Sequence, residues 1–139
     1  MKSFKKSILA VGLTLGIIAS LGGSAFCVAY RPYETGYISG NSTVGCSDVT
    51  SYGGSAYTYY GGYASTLSVN STYISINTRT GVPKIETKSA GHYKNASVSF
   101  TVPAGSKSVS IYSYHKIVAG AQTWLAETFD DNDVVGNCS

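Results

Sequence analysis

From residue 96 onward apolar and polar positions alternate with a period of two. Val98, Phe100 and Val102 alternate with Ser97, Ser99 and Thr101, Pro103-Ala104-Gly105-Ser106 interrupts, and Val109 and Ile111 alternate with Ser108 and Ser110. Such alternation sends one set of side chains to a core and the other to water, while proline and glycine mark a turn. The stretch from Ala96 to Val118 therefore predicts a β-hairpin with one apolar face, its second strand running on through Tyr112, Tyr114 and Lys116.

Upstream the same reading gives a first strand over 43–50 and a short one over 55–60. Two more follow over 66–69 and 72–78, split at Asn70-Ser71, and Ile74 and Ile76 oppose Tyr73 and Ser75. Pro83 makes 82–88 an edge strand, Ser89 to Asn95 frame a loop holding His92, and Gln122 to Phe129 places Trp124, Ala126 and Thr128 on one face. Nowhere does a helical period persist over ten residues. Seven to nine short strands punctuated by turns predict an all-β fold, a small antiparallel β-sandwich with immunoglobulin-like layers, and a small β-barrel is the alternative.

The first 29 residues read differently. Lys2, Lys5 and Lys6 precede an apolar run from Ile8 to Leu21 and then small residues, the pattern of a secretory signal peptide that forms a helix. Cleavage fits after Ala25, Cys27 or Ala29, and the last is taken as the site, leaving 30–42 as an extended arm or edge segment and a sandwich domain over 43–139. The leader carries all the excess charge. Of ten Lys and Arg residues three lie in it, so seven remain against seven acids and the exported chain is neutral. A chain with scattered, balanced charges has no basic patch for nucleic acid, and no stable membrane insertion is expected after cleavage. Release to the medium of a Gram-positive bacterium is the expected localisation.

Cleavage also leaves Cys46 and Cys138, which bracket the domain in an oxidising setting and predict a disulfide. Closing that long loop stabilises by roughly 4–5 kcal/mol in the chain-entropy account.

Catalytic signatures are missing: there is no GxSxG, HExxH, phosphate loop or CxxC. His92 and His115 read as surface residues or satisfied hydrogen-bonders. No carboxylate pair among Glu34, Asp48, Glu86 and Glu127 has spacing that marks a glycosidase. Asp130, Asp131 and Asp133 fail the calcium-loop series because Val134-Val135 stands where a ligand belongs. The expectation is a non-enzymatic protein without metal or cofactor, and the sequons at Asn41, Asn70 and Asn95 are read as chance.

What remains is aromatic. Only two leucines follow the leader, whereas all twelve tyrosines do. Tyr57 with Tyr59, Tyr112 with Tyr114, and Trp124 stand at same-face spacing within their strands, and exposed rings on a rigid sheet can stack on sugars or anchor a protein. These five are the candidate binding residues, with a cell-surface glycan or protein as partner.

The leader, the Tyr/Gly/Ser-rich first third and the block FTVPAGSKSVSIYSYHKIVAGAQTWLAET resemble uncharacterised small exported single-domain β-sandwich proteins of Gram-positive bacteria. In size, export and aromatic richness the chain is also similar to lactococcin 972-type bacteriocins, although their Trp-Gly-rich mature start is absent. The first resemblance implies an exported sandwich, the second a secreted antimicrobial or toxin-like protein. Neither transfers a site residue.

Overall fold

The computed structural model describes residues 30–132, so the signal-peptide reading and Cys138 lie outside the described residues. All regular structure among the described residues is strand: β1 (Tyr33–Ile38), β2 (Asn41–Thr50), β3 (Gly53–Tyr60), β4 (Thr66–Asn77), β5 (Pro83–His92), β6 (Asn95–Thr101), β7 (Ser106–Ala119) and β8 (Gln122–Asp131). They form two antiparallel four-stranded sheets, β1-β2-β3-β6 (sheet one) and β5-β4-β7-β8 (sheet two), packed face to face as a β-sandwich. The layers are those of an immunoglobulin-type sandwich. The strand order is its own, since β1, β2 and β3 follow one another across sheet one, where an immunoglobulin domain sends its third strand to the other sheet.

The core follows from alternation. Ala56 and Tyr60 of β3, Ala96 and Phe100 of β6, Leu67, Val69 and Tyr73 of β4, and Ile111 and Ile117 of β7 turn inward from opposite sides. The Tyr73 and Phe100 rings stack across the gap at 5.2 Å between centroids, and the Tyr73 hydroxyl ends in a 2.6 Å hydrogen bond with Ser108. Tyrosine supplies bulk in place of leucine here because its one polar atom has a buried partner.

At the centre of the sandwich the filling is polar. His115 of β7 is fully buried, with Nδ1 2.7 Å from Thr58 Oγ1 and Nε2 2.7 Å from Thr128 Oγ1. From there hydroxyls continue the chain: Thr128 to Ser47 at 2.6 Å, Ser47 donating to Ser113 at 2.6 Å, and Ser113 to Ser71 at 2.7 Å. Five strands from both sheets meet in this network, and the imidazole is the satisfied hydrogen-bonder of the two readings given to it. A buried imidazole satisfied at both nitrogens costs less than an orphaned one, and its burial holds the pKa down at about 4.

Several expectations are corrected. The stretch from Ala96 to Val118 is not a hairpin: β6 pairs with β3 in sheet one, whereas β7 pairs with β4 and β8 in sheet two. The Pro103 to Ser106 turn, closed by the Ser106 N–H donating to Pro103 O at 3.0 Å, carries the chain across the core as an arch. An arch and a hairpin have the same alternation, because in both each strand shows one face to the same core; in β7 the alternation itself breaks at the irregularity opposite Ile74/Ser75, so that Ile111 joins the core while Val109 joins Ile74 and Tyr112 in a second cluster. The split at Asn70-Ser71 does not exist either: β4 is continuous, and the irregularity falls at Ile74/Ser75 opposite β7. Likewise His92 ends β5 and is not held in a loop, while of the two readings of 30–42 the edge segment holds, since it supplies edge strand β1 and opens β2.

The sandwich has two open edges. On one, the backbone of Arg31 bridges to Phe129 with hydrogen bonds of 3.1 and 2.8 Å, and at the far end of β1 the Ser39 N–H and hydroxyl donate to Gln122 Oε1 of β8. On the other, Lys88 of β5 donates to Ser99 O of β6 at 2.6 Å, its ammonium 5.0 Å from the Phe100 ring centroid. These contacts stitch the edges without closing a barrel.

Candidate functional site

Strand β8 is an edge strand and β1 is the edge strand of the other sheet, so the groove between them is the natural opening into the sandwich. It is a cleft of about 350 Å³ lined by Arg31 and Glu34 from the β1 side, by Trp124, Leu125, Ala126 and Glu127 of β8, and by Tyr114 of β7. That volume lies at the small end of the range for ligand sites.

Each lining residue is there for a local reason. Trp124 faces inward on β8 and lies over Gly36 of β1, where a β-carbon would come within 2.6 Å of the indole Nε1. Only a glycine at 36 leaves that slot, so β1 and the indole fit as a pair. Glu127 stands directly opposite Tyr114 in the β7–β8 register, and hydrogen bonding to its carboxylate is the chief cause of the raised pKa of the Tyr114 phenol. Arg31 Nε and Glu34 Oε1 pair at 3.0 Å on one rim of the cleft. An exposed pair of this kind adds little stability, about 0–1 kcal/mol, but it fixes the guanidinium fork where it can donate to a hydroxyl or carboxylate.

The five residues read as binding candidates do not share one face. Tyr57 and Tyr59 lie half-buried on the outer side of sheet one. Tyr112 and Tyr114 lie on the outer side of sheet two with their rings edge to face at 5.5 Å, and Trp124 points inward from β8. Tyr112 is buried in a second apolar cluster with Ile74, Ile76, Val109 and Phe129, and burial is the main cause of its raised pKa. Of the five, the cleft brings together Tyr114, which is 46 % exposed, and Trp124.

The sequence gives no sign of Arg31 at a site, and it offers Glu34 and Glu127 only among scattered carboxylates, with no hint that they meet. The alternation of Glu34 and Gly36 against Tyr33, Thr35 and Tyr37 supports the edge-segment reading but does not say which strand lies across from it.

Glu34 and Glu127 share the cleft, Glu127 exposed and Glu34 paired with Arg31. His115 has no access to it, being sealed between the sheets. Among the described residues no group of three or more His, Cys, Asp or Glu is placed to hold a metal ion, and no helix is long and apolar enough to cross a membrane. No protein-family model, curated protein or solved structure matches the chain.

Proposed function

We propose that this is an exported, non-enzymatic binding protein that acts at or outside the cell surface of a Gram-positive bacterium by holding a glycan in the β1–β8 cleft. The observation that carries the reading is the composition of that cleft: an indole and a phenol at an edge, with a guanidinium and two carboxylates on its rim. Aromatic rings offer their faces to the C–H surface of a sugar, and charged forks take its hydroxyls. In this reading a disulfide between Cys46, buried on β2, and Cys138 closes the exported domain.

The test is co-sedimentation of the oxidised exported protein with isolated Gram-positive cell walls stripped of protein. Binding that survives high salt and falls at least tenfold in Arg31→Ala and Glu127→Gln supports the cleft. Retention in the supernatant contradicts it and turns attention to growth inhibition of neighbouring strains, the antimicrobial alternative.

A further inference from the structure

A second aromatic feature lies at the opposite edge of the sandwich, built from residues outside the cleft. The loop between β3 and β4 carries Tyr63, and the corner between β5 and β6 carries Tyr93 and Lys94. Tyr63 and Tyr93 stack with centroids 5.6 Å apart and planes at 22°, and Tyr93 stacks in turn on His92 at 4.1 Å and 28°.

Exposed tyrosines rarely hold one geometry unless the backbone is fixed, and here it is. The Ala64 N–H donates to Tyr93 O at 2.8 Å and the Tyr60 N–H donates to Lys94 O at 2.9 Å, so the two loops are tied to each other on both sides of the stack. Despite that order the rings stay wet: Tyr63 is 75 % exposed and Tyr93 52 %. Tyr93 has two ring partners, Tyr63 and His92, whereas Tyr63 has one, so the ring surface open to a ligand is chiefly that of Tyr63, already oriented and with little rotamer entropy left to lose on binding.

Charge narrows the ligand. The Lys94 ammonium stands over the Tyr63 ring, 5.6 Å from its centroid, and has no carboxylate partner among the described residues, whose ion pairs are Arg31–Glu34 and Lys84–Glu86. One ammonium suits one negative charge; a phosphate polymer calls for a cluster of cations. We propose that the Tyr63–Tyr93–His92 stack with Lys94 is a second binding site, separate from the β1–β8 cleft, for a sugar ring bearing a carboxylate, as in a uronic-acid polysaccharide. The ring lies against the exposed Tyr63 phenol, which the stack holds in place, and its carboxylate meets Lys94.

The test is an NMR titration of the isotope-labelled exported protein with an oligogalacturonate, and with maltoheptaose as an uncharged counterpart. Expected are shifts of the Tyr63 and Tyr93 ring signals and of Lys94 with the acidic ligand, about tenfold weaker binding of that ligand in Lys94→Gln with maltoheptaose unaffected, and loss of both in Tyr63→Ala. Unmoved Tyr63 and Tyr93 signals, or a Lys94→Gln protein that keeps its preference for the acid, overturn the proposal. Shifts confined to the Trp124 indole do so too, while leaving the cleft reading standing.

Discussion

Gly45 of β2 lies so close to the His115 imidazole of β7 that a β-carbon on residue 45 would stand 2.7 Å from two atoms of the ring. The two sheets approach each other at this point because one strand gives up its side chain to the buried ring of the other. Gly45→Ala should therefore overpack the centre of the sandwich and destabilise it by about 1–3 kcal/mol. Urea unfolding measures the loss, and a midpoint equal to that of the parent protein would show that the ring does not fill this space.

Acid should weaken the fold through the same residue. His115 has a pKa of about 4 in the folded protein against an ordinary 6.5, and burial is the cause. The unfolded chain takes up the proton first as pH falls, so the contribution is whole above about 6.5 and is lost progressively down to about 4, roughly 3 kcal/mol in all. Around the ring stand the hydroxyls of Thr58 and Thr128 and the backbone of Gly45, none of them charged. Asp130 acts in the other sense: burial raises its pKa against the Val49 N–H that it accepts at 2.6 Å, so its contribution favours the fold at low pH and fades as pH rises. Unfolding free energies at a series of pH values should fall from pH 6.5 to 4 in the parent protein and flatten in His115→Leu; equal slopes would contradict the assignment.

The disulfide proposal predicts that the exported protein is lighter than its reduced form by two hydrogens and that reduction lowers its melting temperature, by the equivalent of roughly 4–5 kcal/mol in the chain-entropy account. Mass spectrometry without reductant, after alkylation of any free thiol, decides it. Two alkylated cysteines would end the idea.

Much of the fold was legible because a half-buried strand writes its burial into every second residue. Val98 with Phe100, and Trp124 with Thr128, were placed on shared faces from spacing alone, and the two-layer class followed. Pairing was not legible in the same way. Nothing in the alternation of β6 and β7 says whether the strands lie beside each other or across a core, since only the path of the Pro103 to Ser106 turn separates the two. The buried network was hidden for a related reason: Thr58, Ser47 and Ser71 look like solvent-side residues of a Ser/Thr-rich chain until their strands converge near His115. The cleft was half visible. Tyr114 and Trp124 stand out as aromatics, but Arg31 and Glu34 come to them through contacts between β1 and β8, among them a bridge between residues about 98 positions apart (Arg31 to Phe129), that no local pattern carries.

Glycan binding in the cleft between β1 and β8 is the central claim, and Trp124, the single tryptophan of the chain, reports on it directly. The decisive measurement is its fluorescence emission during titration of the oxidised exported protein with soluble fragments of Gram-positive cell-wall glycan. A saturable change in intensity or a blue shift, weakened at least tenfold in Arg31→Ala, is the predicted result. Emission that stays constant while the fragments bind elsewhere, or fail to bind at all, would contradict the account.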